Sequence, residues 1–96
     1  MLVLITYDVN TETPAGKKRL RHVAKICTDY GQRVQQSVFE CALDSVQLRI
    51  VKDKLLKKID YKTDSLRFYL LGNNYKSKVE HYGAKASFDV TEPLVL

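Results

Sequence analysis

Residues 2–8 read Leu-Val-Leu-Ile-Thr-Tyr-Asp, an almost continuous apolar and β-branched run that ends on a carboxylate. Such a run suits a central strand covered on both faces, and Asn10 to Pro14 supplies the turn chemistry that ends it. A chain that opens on a central strand needs further strands on either side of it. The run is far shorter than the roughly 20 apolar residues that cross a bilayer. It also lacks the basic leader and small-residue cleavage site of a signal peptide, so no membrane association is expected and the expected location is cytoplasmic.

The remaining pattern alternates between helical and extended periods. Thr13 can cap a helix that starts with Pro14, and Leu20, Val23, Ala24, Cys27 and Tyr30 recur at helical spacing until Gly31 stops it. Gln32 to Leu43 is rich in strand formers and reads as one strand or a bent pair. Asp44 with Gln47 three residues on forms a candidate capping box. The stripe Leu48, Val51, Leu55 and Ile59 then marks a second helix. Leu66, Phe68 and Leu70 alternate with Arg67, Tyr69 and Leu71 in another strand ended by Gly72-Asn73-Asn74. Ser87 to Leu96 can add a short last strand, which Pro93 confines to an edge. The order predicts an α+β, ferredoxin-like β-α-β-β-α-β fold: an antiparallel sheet, two helices on one face, and a C-terminal edge strand. Residues 1–96 read as a single domain. Helices on one face leave the other sheet face bare, and a second protomer is the simplest cover.

Hydrophobic residues make up 45% of the 96 and charged residues 28%, which excludes a disordered chain. Cys27 and Cys41 show no CxxC spacing and no adjacent histidine, so they read as buried thiols rather than metal ligands. The net charge of +5 points to an anionic partner such as nucleic acid.

Asp8 is the first anomaly. A carboxylate at the end of a buried strand must be hydrogen-bonded, paired or metal-bound. Either it accepts backbone N–H groups of the Asn10 turn, or it holds a hard cation. Magnesium keeps several waters and takes one or two carboxylates, so one Asp8 from each subunit of a dimer suffices to bind it for phosphodiester chemistry.

The second anomaly is Gly16-Lys17-Lys18-Arg19-Leu20-Arg21-His22, which puts cations at the positive end of a helix dipole. A bound phosphate resolves that conflict, and a solvated basic face is the alternative. At about 100° per residue, Lys18, Arg21, His22 and Lys25 face outward. Arg19 lies on the flank of the apolar stripe, aimed at Asp8 or a phosphate or simply snorkelling. If the third segment is a regular strand, Arg33, Gln35, Ser37 and Phe39 share one face, a mixture suited to nucleic acid or a subunit contact. Asn73 to Lys78 combines a turn, an aromatic and two lysines, and reads either as a phosphate contact or as a surface loop. No Walker loop, HExxH or GxSxG occurs, neither histidine sits beside a nucleophile motif, and the aromatic signature of an RNA-recognition motif is absent.

The blocks "LITYDV", "KKRLRHV", "RVQQSVFEC" and "DSLRFYLL" together resemble the CRISPR-associated protein two family over nearly the whole chain. The resemblance implies a ferredoxin-like fold, a third segment broken near Gln36-Ser37, and a homodimer in which the C-terminal strand, here about residues 87–96, packs on the partner's sheet. It places Asp8 as the catalytic residue and ligand of Mg2+ or Mn2+, facing its copy across the dimer cleft. It matches Arg19, Arg33, Ser37 and Phe39 to positions that line or support this region; together with the basic helix start, the candidate nucleic-acid contacts are Lys17, Lys18, Arg19, Arg33 and Ser37, with Tyr7 and Phe39 in support. Two roles follow from it. One is a magnesium-dependent endonuclease on double-stranded DNA, with RNA also possible as substrate; the other is a non-catalytic DNA-binding adaptor that bridges the CRISPR integrase during spacer acquisition.

Overall fold

The structure, a computed structural model, describes residues 1–83. Strand β1 (Leu2–Asp8) leads to helix α1 (Pro14–Tyr30), the short strands β2 (Gln32–Gln35) and β3 (Val38–Ala42), helix α2 (Ser45–Leu56), strand β4 (Ser65–Gly72) and a single 3-10 turn (Lys76–Lys78). The sheet order is β2-β3-β1-β4, with every pairing antiparallel. That is the ferredoxin-like arrangement expected from the sequence, and β1 is central. The proposed C-terminal strand of residues 87–96 lies outside the described residues.

Local chemistry sets the helix ends. Thr13 Oγ1 accepts the N–H of Gly16 at 3.0 Å, Pro14 occupies the first turn, and the N–H of Gly31 closes α1 on the Cys27 carbonyl. At α2 both halves of the capping box form: the Gln47 N–H donates to Asp44 at 2.7 Å, and the Asp44 N–H to the Gln47 side chain at 3.0 Å.

The core lies between the helices and one sheet face. Val3, Ile5 and Tyr7 of β1 join Phe39 and Cys41 of β3, Val23 and Cys27 of α1, and Leu48, Val51 and Leu55 of α2. The alternate β1 residues Leu4 and Thr6 are half-buried on the opposite face, and Asp8 is exposed. The β1 run is therefore covered by helices on one face only, and its apolar continuity reflects its central place between β3 and β4. The other face bears Leu4, Val38 and Tyr69 together with Glu40, and residues 78–82 border a cleft over it. Tyr69 is 41% exposed. This is the bare face expected from the strand and helix count.

The segment Gln32 to Leu43 is two strands, separated at Gln36-Ser37. Tyr7 holds the turn between them, its N–H donating to the Ser37 carbonyl at 3.2 Å and its hydroxyl to the Gln36 carbonyl at 3.3 Å. Among the described residues, no helix is long and apolar enough to cross a membrane.

Candidate functional site around Asp8

The antiparallel topology gathers the end of β1, the start of α1, the β2–β3 turn and the start of β4 at one end of the sheet. Asp8 sits there as the last residue of β1, opposite Ser65. It follows Leu4 and Thr6 onto the face that the helices leave uncovered. Among the described residues, no hydrogen bond or ion pair engages its carboxylate.

The turn after β1 does not use Asp8. Asn10 Oδ1 accepts the Glu12 N–H at 2.9 Å, and the Asn10 N–H donates to Asp64 Oδ1 at 3.0 Å. Of the two readings open at Asp8, occupation by its own turn is thus the one the structure lacks. Its burial is also less than the sequence implied, because the strand end projects into solvent.

Asp64 is the residue that sequence reasoning missed. Its side chain is 0% exposed and that of Arg19 is 22% exposed. Arg19 Nε donates to Asp64 Oδ2 at 2.9 Å and Nη2 to Oδ1 at 3.4 Å. The Asp60 N–H at 2.8 Å and the Thr63 hydroxyl at 3.1 Å complete the set. Burial pushes the Asp64 carboxyl up, but these donors outweigh it and hold the group at about 2. Arg19 therefore reaches an acid, as its flank position suggested, but the acid is Asp64 and not Asp8. Its Nη1 takes part in none of these bonds.

Lys17 and Lys18 are exposed in the opening turns of α1, where no acidic residue accompanies them. Arg21 and Lys25 are exposed as expected, whereas His22 is half-buried. On the other side of Asp8, the Phe39 ring is fully buried and stacks on Tyr7 with centroids 6.1 Å apart and planes inclined by 24°. The guanidinium of Arg33 lies 5.0 Å from the Phe39 centroid. Burial, reinforced by the nearby Cys27 thiol, raises the Tyr7 phenol, which stays neutral.

The row Arg33, Gln35, Ser37 and Phe39 is not continuous. The register shifts between Arg33 and Gln35, so Arg33 pairs with Phe39 while Gln35 pairs with Val38. This irregularity turns Gln35 to the uncovered face and leaves Arg33 beside the aromatic pair. Ser37 contributes its carbonyl to Tyr7. In the segment Asn73 to Lys78, Lys78 turns back to the Leu71 carbonyl at 2.9 Å.

Cys27 and Cys41 are both free and buried, as expected. Burial pushes the first up to about 12 and the second to about 11. Among the described residues, no group of three or more His, Cys, Asp or Glu is placed to hold a metal ion. One open carboxylate per chain is the chemistry of half a magnesium site, the ion keeping most of its water.

The sequence model of CRISPR associated protein Cas2 matches residues 1–79. The chain belongs to the Cas2 family. Among its Cas2 relatives, the CRISPR-associated endonuclease Cas2 of Halalkalibacterium halodurans is 63% identical over 95 residues, covering 99% of each chain. The CRISPR-associated endoribonuclease Cas2 of Chlorobaculum tepidum is 59% identical over 96 residues and 100% of each. The crystal structure of Streptococcus pyogenes Cas2 at pH 6.5 superimposes with a TM-score of 0.75 at 64% identity, covering 86% of this chain and 100% of that one. A hypothetical protein from Thermus thermophilus matches with a TM-score of 0.70 at 31% identity, over 86% of this chain and 90% of that one.

Proposed function

We propose that the protein is a magnesium-dependent endonuclease of CRISPR adaptation, cleaving double-stranded DNA as a homodimer with paired Asp8 residues at the dimer cleft. The observation that carries this reading is the open Asp8 carboxylate, on the uncovered sheet face at the end of the sheet where α1 begins. Relatives named endonuclease and endoribonuclease support nuclease chemistry, and leave DNA and RNA both open as substrates.

In this reading a second copy covers Leu4, Val38 and Tyr69, and the packing brings Asp8 of the partner subunit near Asp8. Bound Mg2+, or Mn2+ in its place, would supply an activated water and charge stabilisation at the phosphodiester. The two Asp8 carboxylates would hold the ion. Lys17 and Lys18 hold backbone phosphate near the α1 N-terminus, and Arg19 can add its free Nη1. Arg33, braced on Phe39 and Tyr7, grips the strand from the other side. Lysine and arginine contacts of this kind read backbone rather than sequence.

A specific observation favours the second reading, a non-catalytic adaptor that binds DNA and bridges the CRISPR integrase in the cytoplasm. Among the described residues no cluster of three or more potential metal ligands forms around Asp8, and no evident general base stands beside it. Asp8→Asn separates the two roles, because it keeps size and hydrogen bonding while removing the ligand charge. The expected result is loss of magnesium-dependent cleavage by rigorously purified protein while spacer acquisition in cells persists. Cleavage that survives the substitution overturns the enzyme reading at this site and leaves the adaptor.

A further inference from the structure

Asp64 does more than pair with Arg19. It directly precedes Ser65, the residue that faces Asp8 across the β1–β4 ladder. The same carboxylate accepts the N–H of Asn10, two residues beyond Asp8. It thus ties the loop that follows β1 to the start of β4, and Arg19 fastens both to α1. From the other side Gly16 packs against the Asn10 carbonyl so closely that a Cβ there would collide with it. Asn10 is held at its amide by Asp64 and at its carbonyl by the first turn of α1.

We propose that Asp64 is a positioning residue, which through Arg19 and the Asn10 amide fixes the direction in which Asp8 meets the metal. The inference rests on the Asp8 reading given above. Among the described residues, no other group at this end of the sheet accepts from the β1–α1 loop, from α1 and from the α2–β4 turn at once. Asn at position 64 keeps the shape but offers one neutral acceptor oxygen where the native group offers two charged ones. Arg19 then loses its counter-charge and the loop its fixed direction. Groups that orient a metal ligand typically contribute 10- to 100-fold in metal affinity without touching the ion.

The test measures Mn2+ binding by calorimetry, alongside cleavage of double-stranded DNA, on the full chain carrying Asp64→Asn. Arg19→Lys opens the same clasp from the other side and serves if Asp64→Asn does not fold. Val51→Ala, a core truncation in α2 that touches none of the clasp's hydrogen bonds, controls for lost stability. The expected result is Mn2+ affinity reduced by about 10- to 100-fold in the clasp variants, with KM for DNA changed by less than about 2-fold in Asp64→Asn and Val51→Ala at the wild-type affinity. Wild-type Mn2+ affinity in Asp64→Asn, or an equal loss in Val51→Ala, overturns the proposal and reduces the clasp to a structural element. Asp8→Asn measured in parallel keeps the two levels apart: if it binds Mn2+ as the wild type does, the Asp8 reading itself has failed, and the positioning role falls with it.

Discussion

The Arg19 guanidinium meets the Asp64 carboxylate at two points, Nε to Oδ2 at 2.9 Å and Nη2 to Oδ1 at 3.4 Å, across 45 residues of chain. Removing the Asp64 charge takes the counter-ion from Arg19 and weakens the acceptor used by the Asn10 and Asp60 N–H groups. Asp64→Asn is expected to lower the melting temperature by roughly 4–8 °C for each kcal/mol of stability removed in a chain of this size. Part of the decrease should persist at high salt, since the Asn10 and Asp60 N–H bonds to Asp64 are weakened together with the screened ion pair.

The same carboxylate makes a pH prediction. Its folded value of about 2 lies below the ordinary 3.8. A depressed acid contributes stability that is fully present above its unfolded value and is lost as pH falls through the folded one. Urea denaturation should show wild type and Asp64→Asn separated by a constant gap above about pH 5, the gap narrowing from about pH 4 toward pH 2. A gap that varies between about pH 5 and 8 would point to a different titrating group.

Gly16 offers a case where helix propensity gives the wrong sign. Alanine is the better helix former by about 1 kcal/mol. At this position, however, its Cβ would enter the Asn10 carbonyl, a backbone atom that cannot swing aside. Gly16→Ala is expected to destabilise the protein by about 1–3 kcal/mol in chemical denaturation, as overpacking does.

Much of this molecule was legible in the sequence because it is decided locally. Thr13 with Pro14, and Asp44 with Gln47, act within one helical turn, and the α1 and α2 stripes follow from a period of 3.6. The strand order followed from the alternation of elements, and the bare face from having two helices for one sheet. What was not legible depends on distant partners. Asp64 looks like any acid ahead of a strand until Arg19 is brought to it. The register shift between Arg33 and Gln35 is a property of the β2–β3 pairing and leaves no mark on residue order. A half-buried arginine on the flank of an apolar stripe was the one available signal that an acid had to be near.

Lys17 and Lys18 are solvent-exposed, so their effect should appear in binding and not in folding. Neutral glutamine at both positions is expected to leave the melting temperature unchanged. The slope of log affinity for duplex DNA against log salt should become shallower by about 0.9 for each phosphate that the lysines no longer neutralise, equally for unrelated sequences. An unchanged slope would place the DNA elsewhere.

The thiols give a further check on the core. With values of about 12 and about 11, Cys27 and Cys41 carry almost no thiolate near pH 8. Iodoacetamide followed by mass spectrometry is expected to leave folded protein unlabelled and to modify both residues in urea. Rapid labelling of native protein would show that the packing of α1 on β3 opens.

The claim at the centre is that two copies join their uncovered sheet faces and bring one open carboxylate each to a single hard cation. A crystal structure grown with Mn2+ and phased on its anomalous signal tests this most directly. The expected result is a manganese peak between Asp8 and Asp8 of the partner subunit, with carboxylate oxygens within the roughly 4 to 5 Å that one ion spans. A strictly monomeric protein, or a dimer whose Asp8 carboxylates stand far apart with no ion between them, would contradict it.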